Sequence, residues 1–166
     1  LCPEGIEPTV LAFAKPIKPR AAAVAEQGVA CITRPDIRWL RGEIKSISLA
    51  AAVLMRREAA DADALETLMH RDGWVTEGAV SNVFVVADGA LMTPPKSHLL
   101  LSGITRELAL TLARKHGLDF AERPVALDTL RAADEIWLSS STREVLPVTR
   151  LDGESVGDGR PGPLWH

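Results

Sequence analysis

Between residues 65 and 151 the chain sets short apolar runs, rich in Val, Ile, Leu, Phe and Trp, between breaks that contain Gly and Asp. That is the pattern of strands joined by tight turns. Residues 65–70, 74–76, 82–86 and 90–93 form such runs, and Asp72-Gly73 and Asp88-Gly89 separate them in pairs. Glycine takes the positive φ that a two-residue hairpin demands, so each pair predicts a hairpin. Residues 119–124, 135–139 and 144–151 predict three further strands. Upstream, 9–14 and 27–33 predict two more, closed by Lys15-Pro16 and Arg34-Pro35. A different period marks the helices. Residues 49–62 are mostly Ala, Leu, Met, Arg and Glu, all strong helix formers. Residues 104–116 place Ile104, Leu108 and Leu112 on one face, carry Lys115 and His116 where the helix dipole favours cations, and stop at Gly117. Residues 127–132 predict a third, short helix. Elements in this order, without regular strand–helix–strand winding, predict an α+β fold on a mixed or antiparallel sheet.

Composition narrows the classes of function. A chain of 166 residues suffices for one core, or for one lobe of a larger enzyme. Its net charge of −3 gives no electrostatic case for nucleic acid or an anionic membrane. The longest apolar run, 49–55, is too short to cross a bilayer. Cys2 and Cys31 have neither metal-ligand spacing nor the numbers of a disulfide framework, which predicts reduced thiols in a cytoplasm and no metal site. Because the chain opens on Leu1 with nothing like a signal peptide, the expectation is that an upstream part is missing.

Four places carry candidate chemistry. Lys45 stands between Ile44 and Ile47 and beside Ser46 and Ser48, a setting expected to desolvate the amine and free its lone pair for attack on a carbonyl. Glu77, at a strand end beside Gly78, is placed to meet a protonated ring nitrogen, although a solvated surface acid has the same sequence appearance. Residues 101–106 form a glycine-containing loop opening a helix, whose free N–H groups and Thr105 hydroxyl suit a phosphate; the plainer reading makes Ser102 a helix cap. Ser139, Ser140, Ser141 and Thr142 form a hydroxyl-rich turn able to donate to the same anion. An amine, an acid and two anion-binding turns together match the needs of pyridoxal phosphate.

The order and wording of these segments resemble the fold type IV pyridoxal-phosphate-dependent aminotransferases, and among them the D-amino-acid aminotransferase branch. Asp36-Ile37-Arg38-Trp39, Glu43 to Ser46, Thr76-Glu77-Gly78 with Ser81 to Phe84, Gly103 to Arg106, Ser140 to Pro147 and Asp152-Gly153 carry the likeness, which spans nearly the whole chain. The resemblance implies the larger, cofactor-binding lobe over residues 21–166, preceded by an interlobe linker and opening strand over 1–20, with a small N-terminal lobe and a final helix missing. It implies Lys45 as Schiff-base lysine and proton shuttle, Glu77 on the pyridine nitrogen, and Leu101 against one face of the ring. Gly103, Ile104, Thr105, Ser140 and Ser141 would hold the phosphate. The reaction implied is transamination between a D-amino acid of the D-alanine or D-glutamate type and a 2-oxo acid, by a homodimer, the isolated fragment being inactive. Two departures stand out: Ala79 and Val80 replace serines common in the branch, and Ser48 replaces an asparagine.

Other readings compete. Branched-chain aminotransferases and aminodeoxychorismate lyases of the same fold use the same lysine. A serine hydrolase built on residues 139–141 with one of the four histidines lacks a nucleophile elbow. A non-catalytic remnant or interaction module remains a separate class.

Overall fold

The computed structural model describes residues 5, 7, 9–16 and 22–166. Its elements run α1 (Ala22–Gln27), β1 (Val29–Pro35), α2 (Ala50–Asp61), β2 (Glu66–Arg71), β3 (Trp74–Gly78), β4 (Asn82–Ala87), β5 (Ala90–Thr93), α3 (Ile104–Lys115), β6 (Phe120–Glu122), α4 (Leu127–Arg131), β7 (Glu135–Ser140), β8 (Glu144–Leu151) and β9 (Glu154–Ser155). Among the described residues nine strands form one mixed sheet in the order β3-β2-β1-β8-β7-β4-β5-β6, with β9 paired to β8. β1 lies parallel to both β2 and β8, and β5 parallel to β6; the other pairings are antiparallel.

Connection lengths dictate the shape of this sheet. β3 sits at one edge, five positions from β4 in the strand order, yet only residues 79–81 join them. A flat sheet would separate the two strands by roughly 24 Å, whereas the chain from Gly78 to Asn82 reaches at most about 14 Å. The sheet therefore curls into a half-barrel that brings its β3 edge back beside β4. Gly78 N donates to the Ser81 carbonyl at 2.7 Å, tightening that turn. The mouth of the half-barrel at this end gathers the ends of β3 and β7 and the start of β4.

Both faces of the central strands are covered. Val83 and Val85 point into a cluster with Leu68, Leu138, Leu146 and Val148, while the alternate Phe84 and Val86 pack with Leu110, Ala113 and Trp137 beneath α3. This two-sided burial explains why residues 83–86 are apolar throughout rather than alternating. α2 covers a third cluster through Ala52 and Met55 against Met69 and Ala79.

Several expectations change. Residues 9–14 are not a strand: Val10, Leu11 and Phe13 are 82–85% exposed, and no described strand pairs with them. The apolar run alone cannot make a strand without a neighbour to satisfy its backbone. α1 was not anticipated; it is an Ala-rich turn closed by Gly28, whose φ of +71° and bond from its N–H to the Val24 carbonyl at 3.1 Å end the helix. β9 was also missed. α3 has the expected length but the opposite orientation, burying Arg106, Leu110 and Ala113 and turning Ile104, Leu108 and Leu112 outward. Cys31 is a free, buried thiol, whereas Cys2 lies outside the described residues, as does the segment around the expected boundary at residue 20.

Candidate active site

A cleft of about 570 Å³ opens at the mouth of the half-barrel. Its walls come from the irregular passage 37–48 and the start of α2, from the β3 end and the 79–81 turn, from the loop leading into α3, and from the end of β7. Lys45, Glu77, Leu101, Gly103, Ile104, Thr105, Ser140 and Ser141 all line it. Lys45 and Ser141, 96 positions apart in sequence, meet here because strand ends from both halves of the curled sheet converge. Thr142 is exposed and lies outside the lining.

Glu77 is the buried acid of the cleft, 5% exposed. Its Oε1 accepts from Arg38 Nη1 at 2.5 Å and from the Leu101 N–H at 3.1 Å, while Oε2 accepts from Asn82 Nδ2 at 3.1 Å. Burial pushes its carboxyl up to about 7 against the opposing pull of Arg38 and the Leu101 N–H. The surface-acid reading of Glu77 is thus set aside. Arg38 is gripped in turn by Asp36, which takes Nε and Nη2 at 3.0 and 2.8 Å, and by the Leu99 carbonyl at 3.0 Å. Burial works to raise the Asp36 carboxyl, but its bonds from Arg38 outweigh that and hold it below the usual range. Asn82 ties the acid to the helix loop: its Nδ2 also donates to the Leu101 carbonyl at 2.7 Å, and its Oδ1 accepts from the Gly103 N–H at 3.2 Å.

The anion-binding half of the cleft is built on backbone. α3 begins after Gly103, which has extended geometry and gives the helix no side-chain cap. Ser102 is not the cap either, because its hydroxyl donates to Glu107 at 2.9 Å. The first N–H groups of α3 thus have no capping side chain, and Gly103, Ile104 and Thr105, at the positive end of the helix dipole, line the cleft. Across from them Ser139 lines the cleft with a buried hydroxyl that has no hydrogen-bond partner, an arrangement that burial tolerates poorly unless a ligand completes it.

Lys45 departs from expectation. It lines the cleft but is exposed; Ile44, which lines the cleft beside it, and Ile47 are themselves 43% and 97% exposed and do not shield the amine from water. The passage 36–49 is irregular, so neighbours in sequence do not become neighbours in packing. Ser139, expected as part of the hydroxyl turn, lines the cleft, whereas Arg38, Asp36 and Asn82 were not expected as site residues in their own right. A buried carboxylate needs a cation and donors to hold it, and Arg38, two residues from an acid, was the available signal.

Residues 3–151 match the sequence profile of the amino-transferase class IV family. The chain belongs to that family. A class IV relative, the D-alanine aminotransferase of Bacillus licheniformis, is 43% identical over 160 residues, covering 96% of this chain and 56% of its own length. The D-alanine aminotransferase of Listeria monocytogenes (strain F2365) is 42% identical over 88% of this chain and 50% of its own. The chain thus spans about half the length of the curated relatives it matches. Among solved structures, a putative branched-chain amino acid aminotransferase from Thermotoga maritima superposes with a TM-score of 0.80 at 32% identity, over 91% of this chain and 55% of that one. A second branched-chain amino acid aminotransferase, solved in complex with N-(5′-phosphopyridoxyl)-L-glutamate, gives a TM-score of 0.80 at 31% identity, over 86% and 49%. The mixed sheet with flanking helices is therefore the fold type IV arrangement. Among the described residues of this class IV chain, no helix is long and apolar enough to cross a membrane.

Proposed function

We propose that residues 21–166 form the pyridoxal-phosphate-binding lobe of an enzyme that transfers an amino group between a D-amino acid and a 2-oxo acid. The observation that carries this reading is the convergence, in one cleft, of an amine, a buried carboxyl and an uncapped helix N-terminus flanked by serine hydroxyls. The cleft's donor set fits the cofactor. The N–H groups of Ile104 and Thr105, with the hydroxyls of Thr105, Ser140 and Ser141, suit a phosphate. Leu101 offers an apolar surface for a ring, and Glu77 Oε2, with one donor in place, has acceptor capacity left for a ring nitrogen. Ser139 adds a hydroxyl that otherwise lacks a partner.

Bound there, pyridoxal phosphate supplies an electron-withdrawing ring that makes the Cα proton of an attached amino acid removable. Lys45 Nζ supplies the covalent anchor to the cofactor carbonyl and then carries the proton between the substrate Cα and the cofactor C4′. Glu77 keeps the ring nitrogen protonated, which preserves the withdrawing power. Identity favours the D-amino acid reading: it is 43% to a D-alanine aminotransferase against 32% to a branched-chain aminotransferase. The structural likeness to branched-chain enzymes keeps an L-branched-chain substrate as the second reading.

The test uses the protein expressed from its complete gene. It is expected to bind pyridoxal phosphate with visible absorbance, and borohydride is expected to fix the cofactor to the peptide containing Lys45. Lys45→Ala should abolish that fixation and nearly all turnover while still retaining cofactor noncovalently. Fixation that survives the substitution assigns the chemistry to another amine. A panel of D- and L-amino acids then separates the two substrate readings.

A further inference from the structure

In the wall of the cleft and behind it two carboxylates, Asp36 and Glu77, meet two guanidiniums, Arg38 and Arg71. Arg38 joins the group together. It contacts Asp36 through two nitrogens, Glu77 through a third and the Leu99 carbonyl as well. Its side chain is 15% exposed, that of Asp36 1% and that of Glu77 6%. Asp36 is fixed from the far side by the Thr76 hydroxyl at 3.0 Å and by Arg71 at 3.6 Å. A planar guanidinium held at this many donors has one orientation. It occupies Glu77 Oε1 together with the Leu101 N–H, so Oε2 is the oxygen with a lone pair to spare.

We propose that Arg38 is the positioning residue of the site, locked by Asp36 so that Glu77 meets the occupant of the cleft as a hydrogen-bond acceptor. This rests on the pyridoxal phosphate reading and adds the residue that decides where one proton sits. Glu77 and the ring nitrogen share that proton. With Arg38 in place the negative charge of Glu77 is balanced, and the proton stays on nitrogen. Without Arg38, Asp36 keeps only Arg71 at 3.6 Å and Glu77 loses the guanidinium that balances its charge, the proton moves to Glu77, and the ring is left neutral. The remaining titratable groups around Glu77 do not substitute for Arg38. Lys45 lines the cleft from an exposed position, and Glu66 on β2, close under Gly78, is an acid that burial itself holds above the usual range.

The experiment is a carbon-13 NMR titration of Glu77 in the full-length protein freed of cofactor, comparing wild type with Arg38→Met and Arg38→Lys. Arg38→Met is expected to raise the Glu77 midpoint by about one to three pH units, and Arg38→Lys to give an intermediate value. A lysine ammonium cannot span Asp36 and Glu77 together. A purely structural role for Arg38 predicts lowered stability with the midpoint unmoved, and that result overturns the proposal. Should Arg38→Met not fold, Arg38→Lys decides alone: a raised midpoint supports the role and an unchanged one removes it. The loaded protein gives an independent readout, since the pH profile of its absorbance should move in Arg38→Lys but not when the same change is made in a Glu77→Gln background. A Glu77 midpoint that responds to Arg38 in a protein that takes up no pyridoxal phosphate keeps the Arg38 role and sinks the cofactor reading instead.

Discussion

Glu77 shows what burying an acid beside a cleft costs in stability. Its folded carboxyl titrates at about 7 against an ordinary value of 4.5, with burial as the first cause. Between those two values the folded state holds a proton that the unfolded chain has released, so stability falls as pH rises through this window. Below 4.5 both states are protonated and the difference vanishes; above 7 both are ionised and the penalty is constant. The full span corresponds to about 3 kcal/mol. Asp36 has the opposite sign: its depressed carboxyl contributes stability above its ordinary value of 3.8 that is lost only in stronger acid. The two effects therefore occupy separate windows. Urea denaturation at about pH 5 and about pH 7.5, either end of the Glu77 window, is expected to show wild type losing stability across the interval and Glu77→Gln losing much less of it. Equal losses in the two proteins would mean that Glu77 is not the group responsible.

At the scale of the element, two glycines that look alike in sequence do different work. Gly103, before α3, has φ −71° and no backbone strain, but an added Cβ would stand 2.3 Å from Asn82 Oδ1. Gly89, in the β4–β5 hairpin, has φ +74° and open space around it. Gly103→Ala should therefore displace Asn82, loosen both Glu77 and the helix loop, and weaken pyridoxal phosphate binding by about tenfold. Gly89→Ala should cost about 1 kcal/mol of stability with cofactor affinity unchanged. Fluorescence titration and thermal melts of the two variants check the contrast; equal effects on binding would place Gly103 outside the site. The same contrast explains what the sequence makes legible. Asp88-Gly89 announces a hairpin because its chemistry is local, and the hairpin forms at those residues. The outward turn of Ile104, Leu108 and Leu112 was not legible, because which face of α3 is buried depends on Phe84, Trp137 and Glu122 contributed by other strands. Likewise the candidates Lys45, Glu77 and Ser140 were legible as chemical types, whereas the Arg38–Asp36 grip on Glu77 emerges only when β1 and β3 flank β2 in the sheet.

The whole molecule presents the candidate amine, Lys45, among exposed apolar side chains. Trp39 and Leu49, which line the cleft, are both 54% exposed, and Ile47 and Val53, near Leu49 in sequence, are 97% and 63% exposed; Lys45, also in the lining, is exposed as well. A lysine becomes a nucleophile at neutral pH when it is taken out of water, and a contiguous apolar rim is a surface that further protein covers. Both needs are met by one event. Protein packed over the rim would bury its side chains and desolvate Lys45, while the Glu77 end of the cleft is already buried within the half-barrel. The chain as given spans about half the length of its curated relatives, so the proposed activity requires a comparison between residues 1–166 alone and the protein from the complete gene. Residues 1–166 alone are expected to self-associate in sizing experiments and to bind a hydrophobic dye. Ile47→Asp combined with Val53→Asp should reduce both. Reductive methylation followed by peptide mass mapping should find Lys45 open in the isolated chain and protected in the full-length protein. A monomeric isolated chain that binds no dye, with Lys45 equally reactive in both proteins, would show that the rim is an ordinary solvated surface. The amine would then have to draw its reactivity from the cleft itself.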